Sequence, residues 1–339
     1  MLMKLIRFIT VRLSLIVIVT ALAVTSHAGI SNPLWTPIFK GICYKYVTSD
    51  TPRLQKLFVM RVDLHDPDIV LYTTPSNGAG ECETNRQTCS NFLEQYNLQV
   101  AMNANFFSFD CNYPTTDLKC LAVSNGDVVS PPGGGACALM VTQDNIATIA
   151  MTSLGMDLAD VYTAVGTYYY TDRVNWILYN GQINTDDAEL NPYSSVGLSQ
   201  DKRFLYMLVI DGRQSGYSLG CTGTELAEWM KFIGAYNAMQ LDGGGSSTMV
   251  KDDGSGNAIV LNSPSDGTER LCGNHLGVIA GPLTPSDYCG IPGTAYYMEM
   301  DLSGPQGKPD CYVDLYDLLE IVAGWLECND PRFPAGCSP

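Results

Sequence analysis

Three consecutive glycines, Gly243–Gly245, stand between the apolar run Ala238–Leu241 with Asp242 and the hydroxyl residues Ser246, Ser247 and Thr248. Glycine loses more backbone freedom on ordering than any other residue. Three in a row are therefore expected where the backbone takes a left-handed turn or a ligand comes close to it. Ala238–Leu241 reads as a buried strand that delivers Asp242 to this loop. Successive exposed N–H groups there would form an anion-binding concavity, with the three hydroxyls as further donors. The plainer reading is a flexible surface turn. No lysine follows the glycines, which excludes a Walker-type phosphate loop.

Two other apolar runs end in polar clusters: Ala101–Phe107, with Asn103 at the strand end, and Val209–Gln214, with Asp211 and Arg213. Polar groups at strand ends are where sites are commonly built. Leu57–Leu64, Ile69–Thr73, Gln99–Asn103 and Phe204–Ile210 read as strands, with His65–Asp68 as a turn. Glu225–Ile233 reads as a helix: Thr222 and Glu225 form a capping box, Leu226, Trp229, Met230 and Ile233 repeat at helical spacing, and Gly234 ends it.

The ends of the chain set its compartment. Lys4, Arg7 and Arg12 precede the apolar run Leu13–Val24 and small residues at 26 and 28, the pattern of a secretory signal peptide cleaved after Ala28. The run is short of the roughly 20 residues a membrane span needs. All twelve cysteines follow it, and an even count in an exported chain predicts disulfides. Cys82 with Cys89 and Cys111 with Cys120 are candidate local loops. Removing the leader takes the formal charge from −16 to −19, a balance that disfavours nucleic acid and anionic membranes as partners. The expectation is a secreted, extracellular or periplasmic protein, with no membrane contact after signal cleavage.

Length suits one large domain and a small one. Residues 29–281 form the first, Pro282, Pro285 and Pro292 mark a linker over 282–294, and 295–339 form the second. The fold class expected is α+β, with mixed, largely antiparallel sheets and flanking helices.

Asn103–Phe107, Asp211–Gln214, Asp242–Met249, Asn262–Ser265, Glu269-Arg270 and Asn274–Val278 stand in the order and spacing of the phosphodiester glycosidase family. Over roughly residues 55–281 the chain resembles that family, which includes the enzyme that uncovers mannose 6-phosphate by removing a masking N-acetylglucosamine. The run LDGGGSSTM carries the resemblance most specifically. Two positions depart from the family pattern: Tyr193 replaces an arginine, and His275 stands where a small residue is usual.

The resemblance implies hydrolysis of a sugar 1-phosphodiester, in a glycan or cell-envelope polymer, releasing free sugar and a phosphomonoester. Such a leaving group lightens the need for a general acid. A carboxylate must steady the oxocarbenium ion or activate water, and donors must hold the phosphate. Asp242, Asp211 and Glu269 are the carboxylate candidates. Arg213 and Arg270 suit phosphate, since a guanidinium binds it in two places. Asn103, Gly243, Gly244, Gly245, Ser246, Ser247, Thr248 and Asn274 complete the expected substrate-binding set, and no cofactor is called for at this site. Asp211 could equally cap a turn, and Glu269-Arg270 could be a surface ion pair. The alternatives are a non-catalytic carbohydrate-binding or adhesion protein on the same fold, which Tyr193 favours, and a phosphodiesterase cutting P–O. Serine-hydrolase and zinc chemistry fit poorly: only His65 and His275 follow the leader, and no G-x-S-x-G elbow occurs.

The tail carries eight acids against Lys308 and Arg332. Asp301, Ser303, Asp310, Asp314 and Asp317 resemble half of a dockerin or EF-hand calcium loop, entering a helix at about Leu315. Cys311 stands where that loop has glycine. Calcium, and attachment to a surface or complex partner, are expectations for this module. The plainer reading is a stapled helical hairpin with an acidic face.

Overall fold

The computed structural model describes residues 29–78, 80–168, 175–284, 293–294, 313 and 315–326. Their strands form a nine-stranded sheet, two five-stranded sheets and a two-stranded ribbon, and every pairing between these strands is antiparallel. The sheets are thus largely antiparallel, as expected, and an isolated parallel bridge joins Trp35 to Thr294.

Strands Gln55–Asp63, Phe204–Ile210, Tyr193–Leu198 and Asn237–Gln240 run side by side through the large sheet. Their side chains alternate between faces. Phe58, Met60, Val62, Met207, Val209, Val196 and Met239 enter one core. Leu57, Val59, Leu208, Ile210 and Ala238 enter another, closed by helix α2 (Gly223–Ile233) through Leu226, Trp229, Met230 and Ile233. The capping box of α2 forms as expected, and Gly234 ends the helix at φ +114°.

The first core is shared with a second sheet made of Ala258–Val260, Met249–Asp252, Val100–Asn103, His275–Ile279 and Val70–Thr73. Its far face is covered by helix α1 (Cys89–Tyr96), which buries Cys89, Phe92 and Leu93 against Leu98, Ala101 and Val250. The third sheet contributes Leu139, Val141, Ile149 and Val165 to the same core.

Helix α1 was not legible in the sequence. It has eight residues and three buried apolar positions, too few to show a period, although Thr88 caps it by accepting from Asn91 N at 3.1 Å.

Among the described residues a disulfide joins Cys82 to Cys111, not Cys82 to Cys89 or Cys111 to Cys120. Cys89 is buried in the first turn of α1 with its Sγ 3.7 Å from Thr248 O. The ribbon of Thr84–Asn85 against Thr115–Thr116 brings the 82 and 111 segments together instead. Cys43, Cys89, Cys137, Cys221 and Cys272 are buried thiols, and burial raises the pKa of each.

No helix among the described residues is long and apolar enough to cross a membrane. Helix α3 (Leu315–Leu326) begins where the acidic tail was expected to turn helical. Asp317 is buried in its first turn, whereas Asp301, Ser303, Asp310 and Asp314 lie outside the described residues, as does the leader.

Candidate active site

The chain leaves the large sheet at Gln240 and joins the second sheet at Met249, so segment 241–248 crosses between them. Main-chain bonds hold the crossing to both sides: Leu241 N to Ser194 O at 2.8 Å, Asp242 N to Ala104 O at 3.0 Å. Strand alternation puts Gln240 and Asp242 on one side and sends Leu241 into the core.

Two of the glycines have distinct reasons. Gly244 adopts φ +63°, the left-handed region that disfavours side chains. A Cβ on Gly245 would stand 2.1 Å from Asp266 Oδ2 and 2.2 Å from Arg270 Nη2, because that ion pair lies directly on the backbone.

Above the loop opens a cleft of about 240 Å³. Asp242 and Gly243–Gly245 lie in it with Arg213 and Arg270, and Phe106, Asn191, Pro192, Tyr193 and Gln240 complete the lining. Among these residues Asp242 is the one carboxylate. Burial pushes its pKa up to about 6, against the opposing pull of the Ser246 hydroxyl, the Arg270 charge and the Gly243 N–H.

Two guanidinium groups share the cleft with it. Arg213 Nη2 donates to Asn191 Oδ1 at 2.7 Å, and its Nη1 lies 3.1 Å from where a Cβ on Gly244 would be. Arg213 itself sits at φ +59°, an uncommon conformation for a side-chain-bearing residue. Arg270 donates from Nε and Nη2 to Asp266 Oδ2 at 2.9 and 2.6 Å, and from Nη1 to Ser246 Oγ at 3.4 Å.

Other expected site residues are placed around the cleft without lining it. Asn103 is fully buried. Its Nδ2 donates to Asp242 O at 2.6 Å, and its Oδ1 accepts from Thr248 N at 3.1 Å and Ser194 Oγ at 2.7 Å. One side chain thus ties both ends of the glycine loop to the large sheet. Asn274 accepts from Thr74 N at 3.1 Å and donates to Asn105 Oδ1 at 2.9 Å, holding the neighbouring loops.

Asp211 is also buried. It accepts from Asn262 Nδ2 at 2.8 Å and Ser263 N at 2.9 Å, while burial raises its pKa. Glu269 turns to the start of α1, where it accepts from Ser90 N at 3.0 Å. The structure therefore does not gather the three carboxylates: the Asn262–Ser263 loop engages Asp211 and the first turn of α1 engages Glu269.

The loop amides differ from the expected anion nest. Gly244 N donates to Pro192 O, Ser246 N to Gly243 O and Ser247 N to Gly244 O, so those N–H groups are engaged within the protein. The Ser247 and Thr248 hydroxyls are buried without a hydrogen-bond partner. Ser246 alone of the three reaches the charged cluster.

At the two departures, Tyr193 donates from its hydroxyl to Asp187 Oδ2 at 3.0 Å and gives the cleft a wall in place of a cation. His275 is buried with Nδ1 2.9 Å from Thr74 Oγ1, its ring stacked on Phe92 and its pKa pushed down to about 3 by burial. Asn191, Gln240 and Phe106 join the site unforeseen. Gln240 was findable, since it lies two residues before Asp242 on one strand; Asn191 comes from a segment 51 residues away in sequence from Asp242.

A half-buried carboxylate, two guanidinium groups and the crossing loop thus line one cleft on an antiparallel α+β scaffold. Residues 96–279, more than half the chain, match the phosphodiester glycosidase family, and the chain belongs to it. Among solved structures it resembles the catalytic domain of zebrafish N-acetylglucosamine-1-phosphodiester alpha-N-acetylglucosaminidase, auto-inhibited by its pro-peptide, at 18% identity and TM-score 0.52. That match covers 75% of this chain and 89% of that one. It also resembles a hypothetical protein from Synechocystis at 13% identity and TM-score 0.50, covering 71% of this chain and 62% of that protein's length. These likenesses establish the fold. No curated protein sequence gives a match.

Proposed function

We propose that the protein is a secreted hydrolase that cleaves a sugar 1-phosphodiester at its anomeric C–O bond. The observation that carries this reading is that a single carboxylate, Asp242, and two arginines, Arg213 and Arg270, line one cleft. Ordinary glycoside hydrolysis needs a pair of carboxyl groups, one to protonate the departing oxygen. A phosphate monoester leaves without that proton, so one carboxylate and cationic donors are a sufficient set.

Arg213 and Arg270 hold the phosphate oxygens and take up the charge that grows as the C1–O bond breaks. The bonding pair departs with the phosphomonoester. Water adds to C1, and Asp242, as carboxylate, steadies the oxocarbenium ion and accepts the water proton. A pKa of about 6 leaves this group ionised at neutral pH yet basic enough to take that proton. Tyr193 shapes the wall where the family has an arginine, and Arg213 supplies positive charge nearby. Export is supported by the leader pattern and by the Cys82–Cys111 disulfide, a bond of oxidising compartments.

The test is hydrolysis of aryl and UDP-linked sugar 1-phosphodiesters in ¹⁸O-labelled water, with Asp242→Asn alongside. Free sugar carrying the label, lost in the variant, is the expected result. Label in the phosphate would assign P–O cleavage. No turnover across the panel by folded protein would return the site to a binding role.

A further inference from the structure

Gln240 stands two residues before Asp242 on the strand that enters the glycine loop. Both line the cleft, while Leu241 between them enters the core. Gln240 is only 5% exposed, yet its side-chain amide hydrogen-bonds to nothing among the described residues. Its backbone is firmly held. Gln240 N donates to Asn175 O at 2.8 Å, the residue pairs with Ser195, and the next amide, Leu241 N, donates to Ser194 O at 2.8 Å.

Other polar side chains of the cleft are committed within the protein. The Tyr193 hydroxyl donates to Asp187 Oδ2 at 3.0 Å, Asn191 Oδ1 accepts from Arg213 at 2.7 Å, and Arg270 is paired with Asp266 at 2.6 Å. Gln55 shows how a buried glutamine is ordinarily satisfied: its Nε2 donates to Gly220 O at 3.1 Å and its Oε1 accepts from Trp229 Nε1 at 3.0 Å. Asn103 and Asn105 are likewise engaged at both ends. A buried amide without a partner costs stability, so one that lines a cleft is completed by what enters the cleft.

Reach and chemistry narrow what that is. Residues two apart on a strand are about 6.6 Å from each other and leave the same face. A carboxylate and the longer carboxamide can therefore close on one small molecule between them. Water attacking a sugar carbon carries two protons and must keep a lone pair for the carbon. Asp242 takes one proton as base. The other needs an acceptor that holds it without removing it, and a carboxamide oxygen is a neutral acceptor of that kind.

We infer that Gln240 orients the attacking water: its Oε1 accepts a hydrogen bond from the proton that stays on the oxygen, while Asp242 accepts the proton that leaves. This rests on the hydrolase reading above. The C1–O bond to phosphate breaks and its electron pair departs with the phosphomonoester. The water oxygen bonds to C1, one proton passes to Asp242, and the other remains as the hydrogen of the new anomeric hydroxyl.

An attacking molecule with a single proton tests this. Methanol gives its hydroxyl proton to Asp242 and has no second one for Gln240 to hold. The parent, Gln240→Met and Gln240→Glu are given an aryl sugar 1-phosphodiester in water containing methanol. Free sugar and methyl glycoside are counted, beside kcat and KM. In Gln240→Met, which keeps the length and loses the amide, the ratio of methyl glycoside to free sugar should rise roughly fivefold or more. Its kcat for hydrolysis should fall about ten- to hundredfold, with KM within about threefold of the parent. Gln240→Glu keeps an acceptor oxygen at the same reach and should keep the parent's ratio. The ratio is set within each turnover, so it does not depend on how much of a variant folds.

An unchanged or lowered ratio in Gln240→Met refutes the water role while the hydrolase reading stands. A raised KM with an unchanged ratio would do so by placing the amide on the sugar. An equal rise in Gln240→Glu would overturn it too, because the acceptor would then be immaterial. Loss of both products in folded Gln240→Met also counts against it, since methanol does not need a second acceptor. If the parent turns over no phosphodiester, the hydrolase reading fails and this inference falls with it.

Discussion

Asp242→Asn should abolish turnover and at the same time make the folded protein more stable at neutral pH. An aspartate ordinarily ionises near 3.8, and burial at the cleft floor raises Asp242 to about 6. Between those values the folded chain holds a proton that the unfolded chain has released. The contribution of Asp242 to stability is therefore greatest below pH 4, falls as pH rises through 6, and is flat above about 7. The full difference corresponds to roughly 3 kcal/mol. Asp242 is only half-buried, and water reaching it reduces the figure to about 1–2 kcal/mol. Asparagine keeps an acceptor for the Ser246 hydroxyl and the Gly243 N–H while never carrying the charge. Thermal unfolding of both proteins at pH 7.5 and 4.5 measures the effect. The variant should melt about 2–6 °C higher at pH 7.5, with the advantage shrinking to about one third at pH 4.5. His275, buried neutral, makes both proteins less stable as pH falls below 6.5 and cancels in the comparison. A variant that melts lower than the parent at pH 7.5, with the gap closing at pH 4.5, would show that the carboxylate is stabilised by its arginines and would refute the reasoning.

The pH dependence of kcat/KM should show an acid limb near pH 6, rising as Asp242 loses its proton, and a flat profile from pH 4 to 8 would remove it as the ionised group. Asn103→Ala should cost about 2–3 kcal/mol in urea unfolding, since it leaves Thr248 N and Asp242 O without their partner, and should lower kcat through a loosened loop. Asp211→Ala should destabilise by about 1–3 kcal/mol, because Asn262 and Ser263 lose their acceptor; an intact fold with kcat abolished would instead give Asp211 a direct role. Gly245→Ala should drive the Asp266–Arg270 pair off the loop and raise KM for phosphodiesters, with about 1–3 kcal/mol lost in stability.

The elements legible in the sequence were those with a local cause. Helix α2 announced itself through Thr222, Glu225, a four-residue apolar stripe and Gly234, and it forms over Gly223–Ile233. Phe204–Ile210 was readable as a strand because it is a continuous run of apolar residues, and the sheet buries both its faces. Helix α1 escaped because its short apolar set gains meaning only against Leu98 and Ala101. The Cys82–Cys111 bond escaped because spacing along the chain does not reveal the ribbon that joins those segments. The carboxylates divided in the same way. All three sit near glycines or arginines in sequence, but only the fold shows that amides already occupy Asp211 and Glu269.

By itself the sequence determined the glycine loop, the strand that carries Asp242 into it and the α+β character of the chain, because backbone permissiveness and side-chain alternation act over a few residues. Tertiary structure alone decided that Gly245 lies beneath an ion pair, that Asn103 clasps both ends of the loop, and that Arg213 and Arg270 line one cleft with a half-buried carboxylate. Those arrangements depend on two sheets meeting. The polarity of the cleft and the raised pKa of Asp242 come from groups distant in sequence that folding brings within a few ångströms.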